Sequence, residues 1–404
     1  MNILALTSAY PQPDDGTEVV TPTVQYLCRK WVESDHNVIV IQSNSCFPSV
    51  LYWIPSNIRK KISSKLGHSF PSAESRKTLV RDDCGVSVYR FPMVKVVPYS
   101  KFSNRVLDAQ VNKIQKVLEQ ESFVPDVIIS HWVNPQVDLV RRLKEKYNVR
   151  TSLVFHNDCS EKNMEKFALR DVPNYFDAIG CRSDAYADYV QDCLKLPQKP
   201  FICYSGIPDE QAALQENVLS SDKMLPRNRE YLYVGRLVSR KKVDVIIRAL
   251  TKAYADKKFT LHIVGSGAEK ENLQSLADEL DVKQNVVFHG QVPRDEVFEL
   301  MKKCFCFTMV SEKETFGMVY IEAMLAGCVT IASKDGGVDG VIINDENGYL
   351  SPEGDVDALS EVYKKLELMS NKEIDRLRKN AIKTALGFKD SAVAQRYLDD
   401  VLNW

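Results

Sequence analysis

At 404 residues, with 53 Lys and Arg against 54 Asp and Glu, the chain is long enough for two domains of ordinary size, each with its own core. A net charge of −1 excludes a dedicated nucleic-acid binder, which carries a strongly basic surplus. Ten cysteines without paired CxxC spacing argue against zinc and disulfide frameworks. An amino terminus without a basic leader, and no apolar run long enough to span a bilayer, read as a reduced, cytoplasmic protein.

Short β-rich runs alternate with helical periodicity along the chain. In the first half they fall at 3–6, 38–41, 86–89, 127–129, 153–155, 178–181 and 201–204; in the second they fall at 231–234, 261–264, 286–288, 304–308 and 329–332. Two successive βα series predict an α/β protein with two Rossmann-like, doubly wound parallel sheets. Residues 211–230 are polar and aperiodic and read as the linker, so the first domain spans 1–210 and the second 231–387.

After the first strand, the loop Ser8-Ala9-Tyr10-Pro11-Gln12-Pro13-Asp14-Asp15-Gly16-Thr17 precedes a helix with Val24, Leu27, Cys28 and Trp31 on one face. Gly16 lets backbone approach a ligand closely, while Asp14-Asp15 is turn chemistry rather than a metal-binding pair. The βα rhythm breaks between 47 and 100. There Ile58, Ile62 and Leu66 recur at helical spacing after Leu51-Tyr52-Trp53-Ile54, with Arg59, Lys60, Lys61 and Lys65 between them. The segment around 51–66 is either a peripheral membrane contact or an ordinary surface helix over the sheet.

His131 in Ser130-His131-Trp132 and His156 in Phe155-His156-Asn157-Asp158 follow consecutive strands. Each is either a satisfied structural histidine or a group facing the cleft between domains. Asn157 and Asp158 either bond ligand hydroxyls or cap the next helix.

In the second half, the strand Tyr231-Leu232-Tyr233-Val234 runs into Gly235-Arg236-Leu237, then Arg240-Lys241-Lys242 and an apolar-periodic helix. Arg236 and Lys241 then sit at the carboxyl end of a strand, where open α/β sheets bind ligands, and such a pair neutralises a diphosphate. A solvated basic loop is the alternative for 240–242. Glu314 and Glu322 bracket a helix start at Phe316-Gly317, whose free N–H groups through Met318 and Val319 suit an anion, above all a phosphate. Glu314 is otherwise a capping acid. Glu322 has apolar helical neighbours and needs a partner, either ligand hydroxyls or a nearby Arg.

These elements, in the order Gly235-Arg236-Leu237 with Lys241, Ile263-Val264-Gly265-Ser266-Gly267, Glu314 to Glu322, Gly336-Gly337 and Asn347-Gly348, resemble glycosyltransferase family 4 along nearly the whole C-terminal half. Its members are retaining enzymes of GT-B architecture, two Rossmann-like domains facing a central cleft. The resemblance implies a catalytic set of His156, Glu314, Arg236 and Lys241. His156 would contact the donor sugar near its reacting face, and Glu314 would bind sugar hydroxyls. It assigns Glu322 to the ribose, backbone around Val292 to the base edge, and Gly265 to Gly267 to the nucleotide cleft. His131, with Asn157 and Asp158, falls on the acceptor side. Where the family often has two adjacent glycines after the first strand, this chain has only Gly16 followed by Thr17.

The implied reaction moves a hexosyl unit from a UDP- or GDP-sugar to a saccharide or lipid-linked acceptor, as in surface polysaccharide synthesis. It proceeds without metal, without a resident cofactor and without a conventional protein nucleophile. The resemblance further implies a final helix over about 388–404 returning to the first domain. A sugar-nucleotide epimerase or phosphorylase of the same architecture, and a non-catalytic nucleotide-sugar-binding subunit, are the competing readings.

Overall fold

A computed structural model describes residues 1–12, 22–49, 53–54, 76–95, 100–219, 227–312 and 314–404. Gly16, and all of 51–66 except Trp53 and Ile54, lie outside them. The chain forms two compact units. The first is Met1–Arg182 with Ala187–Cys203 and Ala394–Trp404; the second is Ser183–Tyr186 with Tyr204–Val393.

The first unit is built on eight strands: β1 (Asn2–Thr7), β2 (Asn37–Cys46), β3 (Leu79–Asp83), β4 (Val86–Val94), β5 (Val127–His131), β6 (Arg150–Phe155), β7 (Ala178–Cys181) and β8 (Phe201–Ile202). They lie in the order 3-4-2-1-5-6-7-8, all parallel except β3, which runs antiparallel to β4 at the edge. Apolar runs such as Ile3-Leu4-Ala5-Leu6 are buried because helices cover both faces of a parallel sheet. The helix Thr23–Glu33 turns Val24, Leu27, Cys28 and Trp31 inward, the face its periodicity predicts.

The second unit carries six parallel strands: β9 (Glu230–Val234), β10 (Thr260–Val264), β11 (Val286–Gly290), β12 (Cys306–Met309), β13 (Val329–Ser333) and β14 (Tyr349–Ser351), in the order 11-10-9-12-13-14. Strand order reverses at β9, which pairs with β10 on one side and β12 on the other. Loops leaving β9 and β12 therefore lie side by side at the carboxyl ends of the strands, the place where such sheets hold ligands.

Residues 211–219, expected within an aperiodic linker, instead belong to the helix Asp209–Leu219 of the second unit. It buries Ala212 and Gln215, while Asp209 accepts from the Ser391 hydroxyl at 2.7 Å. The last helix, Asp390–Asn403, ends in the first unit, where the Trp31 indole N–H donates to the Ala394 carbonyl at 2.9 Å. Among the described residues, no helix is long and apolar enough to cross a membrane.

Candidate active site

The two strand-end clusters anticipated from sequence are both present, one in each unit. In the second unit, the loop after β9 packs directly against the loop after β10. The Gly235 N–H donates to the Val264 carbonyl and the Leu237 N–H to the Ser266 carbonyl, both at 2.9 Å. A Cβ at Gly265, whose φ is +134°, would lie 1.9 Å from the Gly235 carbonyl oxygen. One at Gly267 would lie 2.1 Å from that of Leu237. Both glycines therefore let the two strand-end loops touch through backbone.

That contact holds Arg236 and Lys241 on a rigid base. Arg236 is exposed, and its guanidinium has no hydrogen-bond or ion-pair partner among the described residues. Lys241 is only 8% exposed, so it is not part of a solvated basic loop, whereas its neighbour Arg240 is exposed. Its ammonium pairs with Oε2 of Glu314 and lies 3.6 Å from the Met309 sulfur. Lys242 points elsewhere, to Glu312 at 2.6 Å.

Glu314 precedes the helix Met318–Leu325, which opens at Gly317 with φ +78° and no side-chain cap. Glu314 is thus not the capping acid. The Gly337 backbone supports the entrance, since a Cβ there would meet the Phe316 backbone at 2.6 Å. Phe316 packs against Tyr204 at 5.3 Å and Phe388 at 6.0 Å between ring centroids. The Met318 and Val319 N–H groups lie in the first turn, where the helix offers positive potential.

On the same helix, Glu322 receives Arg294, whose Nε donates to Oε1 at 2.8 Å. Of the two partners the sequence left open, the nearby Arg is the one present. Arg294 starts the helix Arg294–Lys303 after the loop that carries half-buried Val292. Its pairing with a residue 28 positions away carries no local sequence signal.

In the first unit, β5 and β6 end in His131 and His156, and His131 Nδ1 lies 2.9 Å from His156 Nε2. His131 is 1% exposed, and its other ring nitrogen lies 3.3 Å from the Tyr397 hydroxyl. Both of its ring nitrogens are therefore occupied inside the unit. His156 stacks on Trp132 with ring centroids 4.0 Å apart. Burial, with the charge of Arg182 adding to it, lowers His131 to about 3 and takes His156 well below the usual histidine range. Both imidazoles are neutral at pH 7.

Asp158 neither caps the next helix nor faces outward. Its carboxylate accepts the N–H groups of Val133 at 2.6 Å and His156 at 2.9 Å, tying the two histidine loops together. Burial raises it to about 6, partly offset by those bonds. Ser160 caps the helix Glu161–Lys166, and Asn157 is exposed with φ +70°. Tyr397, in the last helix, was legible in sequence only as an apolar position. Among the described residues, no group of three or more His, Cys, Asp and Glu side chains is placed to hold a metal ion.

Residues 221–384 match the family model described as Glycosyl transferases group 1. The chain is 24% identical over 348 residues to N-acetyl-alpha-D-glucosaminyl L-malate synthase of Bacillus anthracis, covering 82% of this chain and 88% of that one. A GDP-mannose-dependent alpha-(1-6)-phosphatidylinositol monomannoside mannosyltransferase of Mycolicibacterium smegmatis is 32% identical over 161 residues, 38% of this chain and 41% of that one. Among solved structures, HepE of Anabaena in complex with UDP and glucose superposes with a TM-score of 0.65 at 17% identity, covering 100% of both chains.

Proposed function

We propose that the protein, whose residues 221–384 match the family model of glycosyl transferases group 1 and whose fold is GT-B, is a retaining, metal-independent hexosyltransferase. In this reading it uses a UDP- or GDP-sugar and a saccharide or lipid-linked acceptor in surface polysaccharide synthesis. The observation that carries the reading is the cationic cluster at the strand-order reversal. A buried Lys241, an exposed Arg236 without a side-chain partner among the described residues, and the open first turn of Met318–Leu325 belong to adjoining loops.

Charge accumulates on the leaving diphosphate as the anomeric carbon becomes oxocarbenium-like, so fixed positive groups at the phosphates lower the barrier. Arg236 supplies a bidentate donor, Lys241 a point charge and the helix start its N–H groups. Lys241 takes Oε2 of Glu314 and leaves Oε1 for a sugar hydroxyl; Arg294 takes Oε1 of Glu322 and leaves Oε2 for the ribose. His156 is the first unit's proposed contribution to the reacting sugar. Val292 is proposed at the base edge. The UDP in the HepE complex and the GDP-mannose dependence of the mannosyltransferase support the choice of uridine or guanosine nucleotides, and the latter's phosphatidylinositol monomannoside substrate supports a lipid-linked acceptor.

A thermal-shift panel of nucleotides and nucleotide sugars, with EDTA present, tests the donor. Stabilisation by one UDP- or GDP-sugar is expected, since a ligand at a hundred times its Kd adds about 2.7 kcal/mol. Anomeric analysis of the transferred sugar then tests retention. A strict magnesium requirement, or an inverted product, contradicts the proposal.

A further inference from the structure

We infer that Tyr397 and His131 are positioning residues that fix the proton of His156 on Nδ1, so that this imidazole meets the donor sugar as a hydrogen-bond donor. The inference rests on the proposed contact between His156 and that sugar.

Three side chains from distant parts of the sequence form one chain of hydrogen bonds inside the first unit. The Tyr397 hydroxyl lies 3.3 Å from His131 Nε2, and His131 Nδ1 lies 2.9 Å from His156 Nε2. Each ring is neutral and so carries a single N–H. The chain then has two consistent directions. If the phenol donates to His131 Nε2, His131 donates from Nδ1 to His156 Nε2, and the His156 proton resides on Nδ1. In the reverse direction His156 donates from Nε2, and its Nδ1 is a bare acceptor.

An imidazole nitrogen is a better acceptor than a phenol oxygen, and a phenol is a better donor than a neutral imidazole. The forward direction is therefore favoured, and the hydrogen bond made by one ring nitrogen sets the state of the other. The His156 ring is also held in orientation. It stacks on Trp132 at 4.0 Å with an 18° interplanar angle, and its backbone N–H is fixed by Asp158 at 2.9 Å. With His131 1% exposed, the relay acts on substrate only through His156.

The test is nitrogen NMR of full-length, ligand-free protein labelled with 15N-histidine, assigned with a His156→Gln variant. The wild type is expected to show His156 as the Nδ1–H tautomer. Tyr397→Phe is expected to populate the other tautomer and to lower transfer kcat about tenfold, with little change in the donor KM. A wild-type His156 protonated on Nε2, or a tautomer unmoved by Tyr397→Phe, overturns the inference. The tautomer is read without substrate. Full transfer activity in His156→Gln would therefore overturn the sugar contact separately from the relay.

Discussion

The two units solve the same problem, presenting polar groups at the carboxyl ends of a parallel sheet, with opposite electrostatics. In the first unit the two strand-end histidines are neutral: His131 and His156 hydrogen-bond each other, His156 stacks on Trp132, and burial keeps both uncharged. The buried Asp83 carboxylate of the same unit accepts from Arg29 at 2.7 Å, Arg81 at 2.9 Å, Tyr10 at 2.8 Å and Gln25 at 2.9 Å. Burial alone would raise it, but those donors outweigh burial and hold it below the ordinary range, which leaves it a structural hub. In the second unit, charge is carried to the strand ends by Lys241, Glu314, Arg294 and Glu322, while Arg236 is uncommitted. Neutral, orientated donors suit sugar hydroxyls; fixed charge suits phosphates. The difference teaches that stability and ligand affinity are entangled at Lys241 and separable at Arg236.

Lys241→Ala should show the largest effect. It strands the mostly buried Glu314 carboxylate, so urea unfolding should report a loss of about 3–5 kcal/mol. Turnover should fall about 10²- to 10³-fold as diphosphate stabilisation is lost. Gly265→Ala comes next, because its Cβ would lie 1.9 Å from the Gly235 carbonyl and force the two loops apart. A destabilisation of about 1–3 kcal/mol is expected in the same unfolding assay.

Arg236→Ala sharpens the comparison. Its stability should stay within about 0.5 kcal/mol of wild type, while calorimetry should show nucleoside diphosphate affinity about tenfold weaker or more, the worth of a charged hydrogen bond.

The most gradual effect, spread over pH, belongs to the first unit. An unfolded histidine takes up a proton below about 6.5, while His131 in the folded unit resists until about 3. The unfolded state therefore binds more protons in that window, and stability falls as pH drops through it, by about 1.4 kcal/mol per pH unit for each such histidine. Asp158, raised to about 6, acts oppositely: its share falls as pH rises from the ordinary carboxylate value toward 6. Thermal unfolding between pH 4 and 6.5 should show a shallower acid loss in His131→Gln than in wild type.

Much of this was legible because buried parallel strands read as short apolar runs, as at 3–6 and 261–264, and because Arg236, Lys241, Glu314 and Glu322 fall where strands end and a helix begins. β3 escaped because Leu79-Val80-Arg81-Asp82-Asp83 is an edge strand with charged alternation. The helix Asp209–Leu219 escaped because its buried positions, Ala212 and Gln215, make no apolar stripe. The relay was invisible for a different reason. Tyr397 and His131 are 266 residues apart, and only the fold brings them together. Likewise, the burial of His131 is a property of packing, not of local sequence.

The most direct test of the central claim is calorimetric titration of UDP and GDP, each beside its monophosphate, into wild type and Arg236→Ala with EDTA present. The account predicts that one diphosphate binds wild type more tightly than its monophosphate, and that most of this preference disappears in Arg236→Ala while the fold stays intact. Equal affinity for the two phosphate states, or a preference untouched by the substitution, would contradict it.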